Sequence, residues 1–386
     1  MHPFRVQIHY VAFHLWLVCP TLIVTCRLGR SKIALVKGVF CLIFLVAAVQ
    51  FFLYFIEITG LKQNVDPDAV RGYSHCVVNQ SRLLRFSREH PCNFIPKPIS
   101  SDVVIVTFVN SAWTDLTRNW ICSAKKVGLE KNLFLIAFEP NVCSQFQGTS
   151  CYEHRSLNIK HTVFGQPGYQ KLVIERTRLI LNLLSCGQRI LLADADITFL
   201  RNPLDYLATK SKSYDILFQA DSTGVGFLDS FLHHIFHYIC GGFIYMKSNY
   251  ATRHLWLSVL NYQTKYKWND QAGLNICIRH HSQSISWSTL DAEYFPNGKQ
   301  YFFYNEGSEQ SMIVHANHIM GTKRKIMRMI ASEVWCWEEL AVQWCRNSAT
   351  YRELCEPRNH LTPEGCNEFV SVCQRKYRTT KVKYHL

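Results

Sequence analysis

An uncharged apolar stretch, residues 38–56, limits how this chain of 386 residues can be arranged more than any other feature. Its 19 residues include one glutamine, and a helix of that length crosses the hydrocarbon core of a bilayer. Four basic residues precede it: Arg27, Arg30, Lys32 and Lys37. Because basic flanks stay in the cytosol, we predict a signal anchor at 38–56, a cytosolic region at 1–37 and a luminal chain from residue 57 onward.

A second apolar stretch, residues 10–26, is interrupted by His14 and Pro20. It either spans the membrane as well or lies at its surface, and both arrangements leave residues 27–37 in the cytosol. A cleaved signal peptide is disfavoured because the stretch at 38–56 is long, begins late and lacks a small-residue exit site. The sequence therefore predicts a membrane-anchored, single-pass type II protein.

The cysteine content agrees with a luminal address. Three of the 16 cysteines lie within or before the anchor, which leaves 13 for an oxidising compartment. Because 13 is odd, at least one cysteine is free or pairs between chains. Five of these cysteines lie close together near the C-terminus and predict an appendage over 331–386 that is held by disulfides: Cys336, Cys345, Cys355, Cys366 and Cys373. An N-glycosylation acceptor, Asn79-Gln80-Ser81, fits a glycoprotein stem.

The charge balance indicates the type of partner without identifying it. The chain has 42 Lys and Arg against 28 Asp and Glu, a formal net charge of +14. This excess suits phosphate-rich ligands, nucleic acid or an anionic membrane. A luminal folded part argues against nucleic acid, and the charge balance by itself does not choose between the other two.

Alternating strand and helix patterns predict an α/β domain over 101–330, after an irregular stem at 57–100. Continuous apolar runs typical of strands buried on both faces occur at 102–109, 133–138, 189–193, 216–218 and 243–246. Helical spacing of apolar residues occurs at 113–124, 171–186, 251–262 and 270–278. This alternation predicts a mostly parallel sheet covered by helices.

Asp194 and Asp196 directly follow the strand predicted at 189–193. Ligands bind beyond the carboxyl ends of strands in open α/β sheets, and residues two apart in an extended chain point the same way. Two carboxylates in an apolar setting repel each other unless a cation lies between them. Mg²⁺ and Mn²⁺ prefer oxygen ligands and bridge to diphosphates, so the pair predicts a metal-assisted diphosphate site.

Residues 191–203, Leu-Leu-Ala-Asp-Ala-Asp-Ile-Thr-Phe-Leu-Arg-Asn-Pro, resemble the Asp-x-Asp block of the nucleotide-diphospho-sugar transferases of glycosyltransferase family 77. Four further blocks match that family in order: residues 104–120, 242–249, 269–275 and 314–325. The resemblance implies a GT-A type fold, a nucleotide-sugar-binding Rossmann-like mostly parallel sheet. It also implies retaining transfer from a UDP-sugar. Ala272 and Phe199 depart from the family pattern, which bears on the donor more than on the fold.

The resemblance further implies roles for individual residues. Asp194, Asp196 and His315 would bind Mn²⁺ or Mg²⁺, with Asp194 also facing the ribose. Asp270 and Gln271 would lie near the anomeric carbon. The remaining expected contacts with the substrate are Thr107, Asn110, Arg178, Asp221, Gly242, Lys323 and Lys325, the two lysines being expected at the diphosphate.

The sequence thus predicts a Golgi glycosyltransferase that moves galactose or xylose from its UDP-sugar to a glycan or glycoprotein acceptor. The alternative is a catalytically silent module that binds a sugar or nucleotide, and a luminal phosphohydrolase is a third reading. Asp194, Asp196 and His315 favour the enzyme. Single residues also have alternative interpretations: His315 could be structural, and Asp270 could cap a helix. A zinc site could involve four further residues: His233, His234, His237 and Cys240.

Overall fold

The computed structural model describes residues 76, 78–89, 92, 103–154, 162, 168–221, 238–281, 283–304, 307, 309–346 and 363–377. The predicted anchor at 38–56, the stretch at 10–26 and the histidines of the possible zinc site all lie outside these residues. Within the described ranges, no helix combines the length and apolarity that a membrane crossing requires.

A seven-stranded sheet carries the fold. Its strands are β1 (Val103–Val109), β2 (Leu133–Ala137), β3 (Ser150–Glu153), β4 (Arg189–Ala193), β6 (Ile216–Ala220), β7 (Ile239–Met246) and β8 (Trp287–Thr289). They lie in the order β3-β2-β1-β4-β7-β6-β8. β7 runs antiparallel to both its neighbours, and the other pairings are parallel. The predicted α/β class and mostly parallel sheet are therefore confirmed.

Two short strands form a separate antiparallel pair, β5 (Ile197–Phe199) with β9 (Ile313–His315). The described helices are α1 (Gln80–Glu89), α2 (Thr114–Lys126), α3 (Tyr169–Ser185), α4 (Leu204–Lys210), α5 (Tyr250–Tyr266), α6 (Asp270–His280), α7 (Gly298–Phe303), α8 (Thr322–Ala331), α9 (Glu338–Arg346) and α10 (Pro363–Lys376).

Strand β1 shows why continuous apolar runs form the sheet. Alternate side chains of a strand point to opposite faces. Val106 and Phe108 join the core beneath α3, α5 and α6, whereas Ile105 and Val109 join the core beneath α2. Because both faces are covered by helices, both sets of side chains must be apolar. This packing leaves the ends of the strands as the places where polar chemistry can be located.

The range predicted as an irregular stem contains α1. Leu83 and Phe86 of this helix are buried against the main core. Two disulfides flank the helix, Cys76–Cys277 and Cys92–Cys186. The sequence did not reveal α1 because its buried face amounts to a single turn with two apolar residues, too short for a periodic signal.

The C-terminal cysteines staple helices that pack on α8. Cys345 and Cys373 join α9 to α10, and Cys122 joins α2 to Cys336 just after α8. α8, α9 and α10 share a hydrophobic core that is distinct from the two cores on the faces of the sheet. This part of the chain therefore supports the main domain. Among the described cysteines, Cys240 is unpaired and buried, in agreement with the odd count.

Replacing Cys76 and Cys277 together by serine should lower the free energy of unfolding by about 2–5 kcal/mol, because the bond closes a loop of 201 residues. The double replacement of Cys143 and Cys151, only eight residues apart, is the control and should cost less. The midpoint of denaturant unfolding measures both. Equal losses would contradict a loop-closure origin.

Candidate active site

A cavity of about 390 Å³ opens at the edge of the sheet where β1, β4 and β6 end and the antiparallel β7 begins. The turn after β4, the start of α6 and the segment from β9 into α8 complete its wall. Because this edge collects the ends of several strands, side chains far apart in sequence meet there. The predicted position of the site beyond the strand ends is the position found.

The two predicted carboxylates project from a turn. Asp194 and Asp196 lie between β4 and β5, and the Ile197 amide donates to the Asp194 carbonyl at 3.1 Å. The Asp194 amide donates to the Gly242 carbonyl at 2.8 Å, which fixes the turn against β7. Both side chains line the cavity. The expected convergence is therefore present, although the turn, and not an extended backbone, produces it.

His315 joins these carboxylates through the pairing of β5 with β9. Ile197 lies opposite His315 in that pair, and the Ala316 amide donates to the Asp196 carbonyl at 3.0 Å. His315 Nε2 lies 3.3 Å from Asp196 Oδ1. Ligand atoms of Asp194, Asp196 and His315 all lie within 4.8 Å of one another, a spacing that fits one metal ion.

Gln219 on β6 sets the form of the His315 ring. Gln219 Nε2 donates to the carbonyls of Phe295 at 3.2 Å and Pro296 at 2.9 Å, so its Oε1 faces His315 Nδ1, 2.6 Å away. An amide oxygen only accepts, and Nδ1 must therefore carry the proton. The lone pair of Nε2 is then directed at the carboxylates, as a metal-binding histidine requires.

Gly242, predicted to contact substrate, has a steric role. A Cβ atom at this position would lie 2.5 Å from His315 Cε1 and 2.6 Å from Asp194 Oδ2. Neither side chain could keep its place beside a larger residue. The glycine therefore allows β7 to pass directly behind the three metal-binding candidates.

Arg176 on α3 is the cation that the sequence did not single out. Its guanidinium is buried, donates to Asp194 Oδ1 at 2.7 Å and to the Gly241 carbonyl at 3.0 Å, and lies 3.3 Å from Asp270 Oδ2. Burial opposes its charge, but Asp194 and Asp270 raise the pKa of Arg176 above its usual value. It is therefore a permanent positive charge between two carboxylates.

The structure does not bring the predicted Arg178 to the cavity. Arg178 is paired with Glu175, on a more exposed face of α3. The sequence contained a pattern that distinguishes Arg176 from Arg178. Arg176 lies four residues after Leu172 and four before Ile180, which are both apolar and buried. An arginine inside the apolar stripe of a helix needs a buried partner.

The charges of the cavity lining leave room for a divalent cation. Four carboxylates line it: Asp194, Asp196, Asp221 and Asp270. Two permanent cations oppose them, Arg176 and Lys325, so the lining carries a net charge of about −2 when its histidines are neutral. Oxygen and imidazole ligands suit Mn²⁺ or Mg²⁺. The residues present therefore fit the metal that the sequence predicted.

The two carboxylates of the Asp-Ala-Asp turn differ in their titration. Burial raises the pKa of Asp194, against the opposing effect of Arg176. Burial acts in the same direction on Asp196, but the pKa of Asp196 is held well below its usual range, chiefly by the neighbouring charge of Lys325.

The first turn of α8 presents a cation and the N-terminus of the helix to the cavity. Gly321, Thr322 and Lys325 line the wall, and Lys325 pairs with Asp196. Gly321 has a φ of 89°, which favours glycine and starts the helix at this point. Helix N-termini attract anions. The predicted Lys323 is exposed and does not line the cavity.

Gln271 connects Asp221 to the sheet. Its Oε1 accepts from the Gly241 amide at 3.0 Å and its Nε2 donates to Asp221 Oδ2 at 2.9 Å. Asn317 Nδ2 donates to the other oxygen of Asp221 at 3.2 Å. Asp270 does not cap α6, because Asn269 does so; both Asp270 and Gln271 line the cavity as predicted.

Thr107 and Asn110 lie outside the described lining. Thr107 is fully buried on β1 and shares the face of Ile105 and Val109, whereas Phe108 faces the cavity. Asn110 donates to the Thr162 carbonyl at 2.6 Å and accepts from the amide of Ala112. Both residues support the loop after β1 from behind. Cys240, which the site prediction omitted, does line the cavity.

The chain is similar to several known proteins. A UDP-D-xylose:L-fucose alpha-1,3-D-xylosyltransferase of Arabidopsis thaliana (number 3) is 24% identical over 78% of this chain and 81% of its own. A UDP-galactose:fucoside alpha-3-galactosyltransferase of Dictyostelium discoideum is 22% identical over 60% of this chain and 42% of its own. The Streptococcus pneumoniae glycosyltransferase GlyE superposes with a TM-score of 0.40 and 13% identity, over 55% of this chain and 54% of its own.

The sequence model of one family spans most of the elements that build the cavity. The model described as nucleotide-diphospho-sugar transferase matches residues 137–329, which is half of the chain. The match runs from the end of β2 to α8 and so includes the Asp-Ala-Asp turn, His315 and Lys325. The chain therefore belongs to the nucleotide-diphospho-sugar transferase family and is a glycosyltransferase.

Proposed function

We propose that the protein is a metal-dependent, retaining glycosyltransferase that transfers xylose from UDP-xylose to a fucose-containing glycan, with UDP-galactose as the second candidate donor. The observation that carries this proposal is the group of ligand atoms from Asp194, Asp196 and His315 within 4.8 Å, with His315 Nε2 directed at Asp196. These three residues would hold a divalent cation, which would supply charge stabilisation to a departing diphosphate.

The relatives support the choice of substrates. Xylose and galactose donors occur in the names of the Arabidopsis and Dictyostelium enzymes, while both names share a fucose acceptor and an α-3 linkage. Since relatives with different donors share a fucose acceptor, the relatives support the acceptor class more strongly than they support the donor.

In the mechanism, Asp194, Asp196 and His315 would hold a divalent cation. A bound cation of this kind neutralises the charge that develops on the departing diphosphate. Lys325 and the first turn of α8 bind the same diphosphate from the other side. Arg176 keeps Asp194 and Asp270 in place and presents its guanidinium to the sugar.

Retention requires the acceptor hydroxyl to enter on the face from which the diphosphate leaves, or a nucleophile on the opposite face. Gln271 is a poor nucleophile because both ends of its amide are engaged, with Gly241 and Asp221. Asp270 is paired with Arg176. We therefore favour same-face attack, in which Asp270 and Gln271 orient the sugar and Asp221 holds hydroxyls.

We further propose that the enzyme is anchored in the Golgi membrane by residues 38–56, with its catalytic unit in the lumen. The five disulfides traced among the described residues support this location, since structural disulfides persist in oxidising compartments. The luminal glycans of the secretory pathway are then the available acceptors.

The decisive assay measures UDP release and product formation by the full-length chain in detergent, with Mn²⁺, a panel of UDP-sugars and methyl α-L-fucopyranoside. We expect turnover with UDP-xylose or UDP-galactose and an α-linked product by NMR.

Asp196→Asn should lower kcat/KM by about 100-fold or more, and EDTA should abolish turnover. Asp205→Asn, an exposed carboxylate on α4, is the matched control. UDP binding without turnover of any donor would favour the silent module, and absence of UDP binding would refute the proposal.

Gln219→Leu should weaken Mn²⁺ binding by about 10–100-fold, because the partner that keeps the proton on His315 Nδ1 is lost. Mn²⁺ binding, followed by the electron paramagnetic resonance signal of the free ion, measures this without turnover. Gln263→Leu is the matched control, since Gln263 is a buried glutamine on α5 with no hydrogen-bond partner for its amide. Equal Mn²⁺ affinities of the two variants would contradict the assigned role of Gln219.

Arg176→Lys should lower kcat/KM by about 100-fold, because one ammonium group cannot replace a guanidinium that contacts Asp194, Asp270 and the Gly241 carbonyl together. Arg178→Lys, two residues further along α3, should stay within about twofold of the wild type, as its partner is Glu175. The comparison uses the UDP-release assay. A larger loss in Arg178→Lys would restore the role predicted from the sequence.

A further inference from the structure

Three side chains form an exposed rim beside Asp221, and we name Tyr238, His318 and Met320 the acceptor rim. The side chains of Tyr238 and Met320 are 46% and 59% exposed, and both are among the larger apolar groups that this chain leaves in water. The His318 side chain is 32% exposed. His318 and Met320 line the mouth of the donor cavity.

Contacts with Asp221 bring the rim together. The Asp221 amide donates to the Tyr238 carbonyl at 3.0 Å, where β6 ends and β7 begins. His318 Nε2 lies 3.3 Å from Asp221 Oδ1. Tyr238 therefore pairs with the Asp221 backbone and His318 with the Asp221 carboxylate, although 80 residues separate them in sequence, and Met320 follows His318 by two residues.

The backbone at His318 is held in an uncommon conformation. Its φ of 60° lies in the left-handed region, which few residues other than glycine adopt. Such conformations persist where the surrounding structure requires them, and they are enriched at functional sites. Here the conformation turns the chain between β9 and α8, so that the imidazole points back at Asp221 while Met320 remains at the mouth.

The rim and the interior of the cavity differ in chemistry. The interior is charged, with Arg176, Lys325 and the metal-binding candidates, and suits a diphosphate. The rim offers an aromatic ring, a thioether and an imidazole–carboxylate pair. Aromatic rings pack against apolar surfaces and tolerate a wet edge, and carboxylate and imidazole groups hydrogen-bond hydroxyls. This combination fits a neutral sugar, which has an apolar C–H face and hydroxyl groups at its edge.

Asp221 lies at the boundary between the two regions. Its Oδ2 accepts from Gln271, which belongs to the interior, and its Oδ1 faces Asn317 and His318. A sugar bound on the rim would therefore present its hydroxyls beside the same carboxylate that borders the donor. This is the arrangement that group transfer between two sugars requires.

We propose that Tyr238, His318 and Met320 form the acceptor subsite, which binds the terminal neutral monosaccharide of the acceptor glycan with its apolar face on Tyr238 and Met320. His318 and Asp221 bind the hydroxyls of that sugar. The proposal rests on the glycosyltransferase function proposed above and adds the residues that select the acceptor.

The test measures two quantities on full-length variants: the KM for methyl α-L-fucopyranoside in the transfer assay, and the rate of donor hydrolysis without acceptor. Tyr238→Ala and Met320→Ala should each raise the acceptor KM by about tenfold, as expected for the loss of one stacking contact. Donor hydrolysis without acceptor is the reference against which each change in the acceptor KM is compared. Tyr238→Phe keeps the ring and should restore most of the acceptor affinity.

Matched controls come from exposed residues outside the cavity lining. Tyr250→Ala removes a tyrosine that is 48% exposed at the start of α5, and Leu84→Ala removes a leucine that is 55% exposed on α1. Both should leave the acceptor KM unchanged. An unchanged KM in Tyr238→Ala and Met320→Ala, or an equal rise in the controls, would overturn the subsite.

A binding measurement separates this proposal from the function on which it rests. Saturation-transfer NMR on the protein loaded with UDP and Mn²⁺ should show transfer to the C–H protons of the methyl fucoside, reduced in Tyr238→Ala and kept in Tyr250→Ala. If UDP binds and the donor is hydrolysed but neither effect appears, the subsite fails and the glycosyltransferase function stands. If UDP does not bind, the proposed function fails first and the subsite with it.

Discussion

The compensation of buried charge at the end of β4 is the constraint on which the rest of the structure depends. Asp194 and Asp270 share the guanidinium of Arg176, while Asp196 lies between Lys325 and His315. An isolated charge in such a place is costly, whereas a paired one is tolerated. Each partner comes from a different element, so the helices and strands must be held in register for the charges to balance.

Much of the remaining fold can be understood as support for these partners. The N-terminal half of α3 is packed on β1 with Phe108 beneath the guanidinium of Arg176, 5.6 Å from the ring centroid. The C-terminal helices α9 and α10 back α8, which carries Lys325, and an ion pair between Arg328 and Glu368 joins α8 to α10. The stapled C-terminal part therefore contributes to the site through α8, without lining the cavity.

The comparison of sequence and structure shows which signals are reliable. Long apolar runs such as β1 and β4 were recognisable because burial on both faces leaves no polar position. The short strand β5 was not recognised, since three residues have no period to detect, and yet its pairing with β9 places His315 beside Asp196. The convergence of the two carboxylates was expected from an extended backbone, whereas a turn directs both side chains to the cavity.

By itself, the sequence determined the α/β class and placed two carboxylates, Asp194 and Asp196, directly after β4. Those inferences depend on local composition and on spacing along the chain, which folding does not alter, whereas the resemblance to a family added His315 to the pair. The tertiary structure decided the identity of the buried arginine, the proton on His315, the steric role of Gly242 and the rim around Asp221. Each of these depends on contacts between different strands, helices and turns of the chain, and no local pattern records which side chain a buried group will meet.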